Sequence, residues 1–129
     1  MDNLELAGTE RSPEIDFDFK SNTFAMKGES YPEDASGFFG PVISQLEKHI
    51  ANLNDDSVRF TFELIYFNSS TAKVLMGLFD TLDEAAEAGN AVTVIWVYEI
   101  DDENMEEMGG EFGEDLKHAK FELKAVEAD

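Results

Sequence analysis

Apolar and polar residues alternate from Ile15 through Asp16, Phe17 and Asp18 to Phe19, a period of two that predicts a half-buried strand. Lys20-Ser21-Asn22 reads as a hairpin turn and Thr23-Phe24-Ala25-Met26-Lys27-Gly28 as the antiparallel return, with Pro32 ending it for want of an N–H. The period then changes. Phe39, Val42, Ile43, Leu46, Ile50 and Leu53 recur at helical spacing between Ala35 and Leu53, and Asn54-Asp55-Asp56 closes that helix. Val58 to Phe67 begins as an alternation and becomes apolar throughout, the pattern of a central strand covered on both faces. Ala72, Leu75, Met76, Phe79, Leu82 and Ala86 form a second helical stripe that stops at Gly89-Asn90. Ala91 to Tyr98 predicts another buried strand, Asn104–His118 an acidic helix, and Phe121 to Val126 a final edge strand.

This order predicts one α/β domain over residues 1–129, a mixed sheet of about five strands with packed α-helices. The N-terminal hairpin is antiparallel and the strand–helix–strand crossover parallel and right-handed. Residues 1–13 show little periodicity and are expected to form a loosely held arm with a short docking segment at Leu4 and Leu6.

Composition works mostly by exclusion. Of 129 residues 43% are hydrophobic and 12% aromatic, enough for a sizeable core. Nine Lys and Arg stand against 29 Asp and Glu, a net charge of -20 that repels phosphate backbones and anionic lipid, so neither nucleic acid nor membrane is an expected partner. The same acidity suits a surface adapted to a salty cytoplasm. Without cysteine there is no disulfide, thiolate metal site or thiol catalysis. The start Met1-Asp2-Asn3-Leu4-Glu5 has neither the basic nor the apolar region of a leader, and no apolar run is long enough to cross a bilayer, so a cytoplasmic location is expected. Gly109, Gly110 and Gly113 lie among Glu106, Glu107, Glu111, Glu114 and Asp115, which would repel a nucleotide's phosphates. The run from Asp101 fails as a calcium loop because Met105 and Glu106 hold its fifth and sixth positions, the sixth belonging to Gly. His49, next to the apolar stripe of the first helix, is read as a partly exposed surface residue, and neither it nor His118 is expected to be catalytic. No catalytic residue, metal or cofactor is expected.

One constellation remains. Ser69, Ser70 and Thr71 follow Asn68 where the central strand ends and the next helix begins, the strand end at which open α/β sheets build sites. The plain reading gives one hydroxyl the helix cap. Three in a row also suit a modified residue, since phosphorylation adds about -1.5 to -2 charge beside a helix N-terminus that tolerates an anion. Lys73 is the one nearby cation, so a phosphate there would remake an outer surface and block or permit docking. Tyr31-Pro32 reads as loop packing, or as part of that docking surface if the loop folds over the same edge.

The chain resembles the SiaC-like family of bacterial biofilm-regulation phosphoproteins, whose fold is similar to the STAS domains of anti-anti-sigma factors. The resemblance rests on Gly8-Thr9 with Ser12-Pro13, Gly28-Glu29-Ser30-Tyr31-Pro32-Glu33, Tyr66 through Lys73, Phe79-Asp80, Trp96 with Tyr98, and Glu111-Phe112-Gly113-Glu114-Asp115. It implies a non-enzymatic partner-switching protein, phosphorylated by a dedicated serine/threonine kinase and dephosphorylated by a PP2C-like phosphatase. In its unphosphorylated form such a protein binds and activates a diguanylate cyclase, which raises cyclic-di-GMP and favours biofilm. The phosphoacceptor carries over to Ser69, where the commoner family pattern has Thr, so Ser70 and Thr71 stay as competing hydroxyls. Alternatives from other classes are a metal-binding or small enzymatic domain using carboxylates of Glu99–Asp115, an anti-sigma-factor antagonist, and an acidic mimic of nucleic acid.

Overall fold

The computed structural model describes residues 3–127. Its elements are β1 (Leu4–Leu6), β2 (Glu14–Asp18), β3 (Thr23–Ser30), α1 (Ala35–Ala51), β4 (Ser57–Phe67), α2 (Ser69–Glu87), β5 (Ala91–Glu99), α3 (Glu103–Glu114) and β6 (Lys120–Val126). The sheet runs β1-β2-β3-β4-β5-β6, antiparallel across the first three strands and parallel across the last four. The α/β class and mixed sheet follow the sequence pattern. Strand number does not, because Leu4–Leu6 pairs with β2 and makes a sixth. The arm is therefore held to the sheet edge. Three residues are too few to show a period, yet Leu4 opposite Phe17 and Leu6 opposite Ile15 continue the apolar face.

Strand register lines that face up in rows. Leu4, Phe17, Phe24, Phe60, Val94 and Phe121 cross the sheet side by side, followed by Leu6, Ile15, Met26, Phe62, Trp96 and Leu123. Against these rows pack Phe39, Val42, Leu46 and Ile50 of α1, Leu75, Leu78, Phe79 and Leu82 of α2, and Met105 of α3. All three helices thus share one face, as expected when successive parallel crossovers of one hand step in one direction across a sheet. The opposite face, with Asp16, Lys27, Arg59, Thr61 and Glu63, carries no helix among the described residues.

That corrects the expectation for the central strand. β4 is covered on one face, and its burial alternates from Val58 to Leu64. The run of apolar residues at its end has another cause: the register with β3 shifts between Gly28 and Glu29, a bulge that turns two successive side chains outward. Ile65 is 58% exposed and Tyr66 52%, while Phe67 turns back to meet the Trp96 ring edge-on at 6.1 Å. Gly28, at φ +102°, supplies the backbone conformation this shift needs.

α3 ends at Glu114, before the expected His118. Asp83 of α2 explains the early end: one oxygen, Oδ1, accepts the backbone N–H groups of Lys117, His118 and Ala119 at 3.0, 2.7 and 2.9 Å. Those groups belong to the loop into β6. Partial burial pushes the Asp83 carboxyl up, but the three N–H donors, with His118 nearby, outweigh it and hold the group below its ordinary value. A pKa depressed by folding gives stability that is present above the ordinary carboxylate range and lost as pH falls through the folded value. Asp83→Asn is expected to lower stability at neutral pH by about 1 kcal/mol. In urea titrations at a series of pH values the difference from wild type should shrink in acid.

Candidate functional site

The C-terminal edge of the sheet gathers the sequence motifs at one corner. α2 starts at Ser69, directly after Asn68, whose side-chain oxygen accepts the Thr71 N–H at 3.0 Å. The cap is therefore an asparagine and not one of the three hydroxyls. The hydroxyls then divide by burial. Thr71 is 0% exposed; its hydroxyl donates to the Ser30 carbonyl at 3.1 Å and accepts from the Ser30 hydroxyl at 2.8 Å. Asn68 N–H donates to the same Ser30 carbonyl at 3.1 Å. Ser30, at the end of β3, thus pins the start of α2. Thr71 drops out as a competing acceptor, because its oxygen is sealed and both its bonds are structural. Ser69 and Ser70 are exposed. Thr71→Val, close in shape but without the hydroxyl, is expected to lower stability by about 1–2 kcal/mol, read from thermal unfolding.

The electrostatics of this helix end favour an added anion. The first turn of α2 holds no acidic residue, whereas that of α3 already has Glu103 and Glu106. Asn68 occupies the Thr71 N–H and its carbonyl the Ala72 N–H at 2.9 Å, while those of Ser69 and Ser70, at the helix start, have no intrahelical acceptor. Lys73, exposed and one turn on from Ser69, stands at the spacing where a helical cation meets an anion. A phosphate on Ser69 would meet two backbone donors, the positive end of the helix and one ammonium group.

Tyr66, three residues before Ser69, belongs to an aromatic pair. The half-buried Tyr31 ring meets the exposed Tyr66 ring edge-on at 5.9 Å. Pro32 is buried, which corrects its place among candidate contacts: its ring packs and shapes the loop. The arm closes this corner too. Tyr31 N–H donates to the Arg11 carbonyl at 2.6 Å, Arg11 pairs with Glu33, and the Thr9 hydroxyl accepts the Ser12 N–H at 2.9 Å. The strings around Gly8 to Pro13, Gly28 to Glu33 and Tyr66 to Lys73, remote in sequence, are thus neighbours.

The acidic region takes a structural part. Tyr98 hydroxyl donates to Glu106 at 3.1 Å, and Asp102 caps α3 by accepting the Met105 N–H at 3.0 Å. Among the described residues, no group of three or more His, Asp and Glu stands close enough to hold a metal ion. His49 meets the Phe19 and Phe24 rings edge-on, with Nε2 2.6 Å from Asn22 Oδ1, and burial lowers its pKa. No helix among the described residues is long and apolar enough to cross a membrane.

The sequence did not single out the glycines of α3 as packing residues. Gly109 lies against the Trp96 indole and Gly113 against the Phe121 ring, so α3 rests on the sheet at two positions one turn apart where a Cβ would collide. Their spacing of four was the available signal.

Comparison with known proteins places these features in a family. The family described as SiaC family regulatory phosphoprotein matches residues 6–126. Apo-SiaC from Pseudomonas aeruginosa superposes with a TM-score of 0.87 at 34% identity, over 97% of this chain and 100% of that one. A second similar structure is that of the diguanylate cyclase SiaD in complex with its activator SiaC, from the same organism. Here the TM-score is 0.89 at 32% identity, over 95% of this chain and 99% of that one. A further Pseudomonas aeruginosa protein is 34% identical over 115 residues, 89% of this chain and 90% of the relative.

Proposed function

Since the chain belongs to the SiaC family of regulatory phosphoproteins, we propose that it is a non-enzymatic phospho-switch whose acceptor is Ser69 and whose unphosphorylated form docks on and activates a diguanylate cyclase. The observation that carries this reading is the exposed Ser69 at the first position of α2, three residues after the exposed Tyr66 and backed by the buried Ser30–Thr71 pair. A helix start tied to the sheet by those bonds presents the acceptor in one fixed place. Modification there changes what a partner meets without asking the fold to move.

The partner is a cyclase because a similar chain stands in complex with one as its activator. Kinase and phosphatase complete the cycle: one installs the phosphate on Ser69, the other hydrolyses it. Ser70 is the competing acceptor. Its hydroxyl is exposed too, but it stands one residue further into the helix, where Lys73 is three positions on instead of four.

The direct experiment treats wild type and Ser69→Ala with the cognate kinase and follows intact mass. Ser69→Ala is expected to stay folded, to bind the cyclase as wild type does and to gain no phosphate. Full phosphorylation of Ser69→Ala would transfer the acceptor to Ser70.

A further inference from the structure

Among the described residues β6 ends the sheet with one side unpaired, and it is neither short nor capped by a proline: Lys120-Phe121-Glu122-Leu123-Lys124-Ala125-Val126. Its free groups are assigned by one bond. The Val126 carbonyl accepts the Ile100 N–H at 2.8 Å, on the side of β5. Along a strand successive residues direct their backbone groups to opposite sides, so Lys120, Glu122, Lys124 and Val126 serve β5 while Phe121, Leu123 and Ala125 present N–H and C=O outward. The side chains alternate as well. Phe121 and Leu123 continue the apolar rows under the helices, with Leu123 still 42% exposed, and Lys120, Glu122 and Lys124 line the helix-free face.

We propose that this edge is a self-association surface: two copies pair antiparallel through β6, symmetric about Leu123, and extend the sheet across a two-fold axis. In this register Leu123 faces its own copy and Phe121 faces Ala125 of the other chain, each such pair exchanging two N–H···O bonds through the outward groups. Glu122 then faces Lys124 of the other chain, and Lys124 faces Glu122. They do so at the closer, non-hydrogen-bonded positions, where opposite charges on facing strands attract. Shifting the axis by one residue either way destroys this match. Centred on Glu122, the strand sets Glu122 against itself and Lys120 against Lys124; centred on Lys124, it sets Lys124 against itself. Of the two registers that face Glu122 with a lysine, the one centred on Phe121 leaves Leu123 outside the charge pairs, whereas the one centred on Leu123 also covers that exposed side chain. A second copy is the occupant because the complementarity is the strand's own, as a two-fold interface requires.

The surface is small, so the dimer belongs to the weak class, with a dissociation constant of roughly 10–500 µM. Two chains of net charge -20 repel at long range, and salt screens that repulsion more than it screens facing pairs. Association should therefore tighten toward about 0.5 M salt, where the Debye length is about 4 Å.

Sedimentation equilibrium tests it with charge reversals at exposed positions. Glu122→Lys and Lys124→Glu are each expected to be monomeric, because each sets like charges against one another. The loss in Glu122→Lys occurs although its net charge falls in magnitude by two units, a change that alone would favour association. Mixed together, the two variants should pair, because lysines at 122 and 124 of one strand then face glutamates at 124 and 122 of the other. A wild-type chain that stays monomeric at about 1 mM in about 0.5 M salt overturns the proposal. So does a dimer that survives both reversals, or a mixture of the two variants that fails to associate.

Discussion

Phosphorylated stoichiometrically on Ser69, the protein is expected to lose at least about thirtyfold, or about 2 kcal/mol, of its affinity for the diguanylate cyclase. Its unfolding temperature should move by no more than a few degrees. The two halves of this expectation have separate causes. The fold tolerates the phosphate because the first turn of α2 has no acidic residue, Ser69 and Ser70 are exposed, and Lys73 stands one turn on. A partner lying across Tyr66 and Ser69 meets instead a bulky dianion that must be desolvated or displaced, and an unmatched charge in an interface costs several kcal/mol. Isothermal titration of the cyclase with the phosphorylated and unphosphorylated forms measures the first half, and calorimetric scanning the second. Loss of binding through unfolding would show as a large drop in the unfolding temperature.

Gly109→Ala is expected to lower stability by about 2–3 kcal/mol, although alanine is the better helix former by up to about 1 kcal/mol. The new Cβ would overlap the Trp96 indole, coming within 2.7 Å of Cγ. That ring cannot yield: it is fully buried, its Nε1–H donates to the Met105 carbonyl at 3.0 Å, and Phe62 and Phe112 lie on it at 5.9 and 5.6 Å. α3 must lift instead. Phe67, which immediately precedes Asn68, packs on both Trp96 and Phe112, so the disturbance reaches the floor of the Ser69 corner. Gly110 is the control. A Cβ there meets open space, and Gly110→Ala is expected to raise stability by about 0.5–1 kcal/mol. Urea unfolding followed by the fluorescence of the single tryptophan resolves both; a Gly109→Ala protein as stable as wild type would mean that α3 does not rest on Trp96.

What the sequence made legible was what repeats along the chain. Alternation at Ile15–Phe19 and helical spacing from Phe39 to Ile50 gave elements of the right type, and their order gave the α/β class. Elements too short to repeat their period escaped, β1 being three residues long. So did departures from a period: the apolar end of β4 suggested cover on both faces, where a bulge opposite Gly28 had turned Ile65 and Tyr66 outward. The candidate site was legible as composition, three hydroxyls after an asparagine, but not as geometry. Which hydroxyl is free depends on Ser30, 41 residues before Thr71, and nothing local to Asn68–Thr71 reveals that contact. The same distance hid the convergence of Arg11, Tyr31 and Tyr66 on one corner, and the clamp that Asp83 places on the loop before β6.

Control of docking at the start of α2 by a phosphate on Ser69 is measured by exposing wild type and Ser69→Ala to the same kinase and titrating each into the cyclase. Kinase-treated wild type should bind at least about thirtyfold more weakly than its untreated form, while treated and untreated Ser69→Ala bind alike. Equal binding by fully phosphorylated and unmodified wild type, or an equal loss in Ser69→Ala, would contradict it.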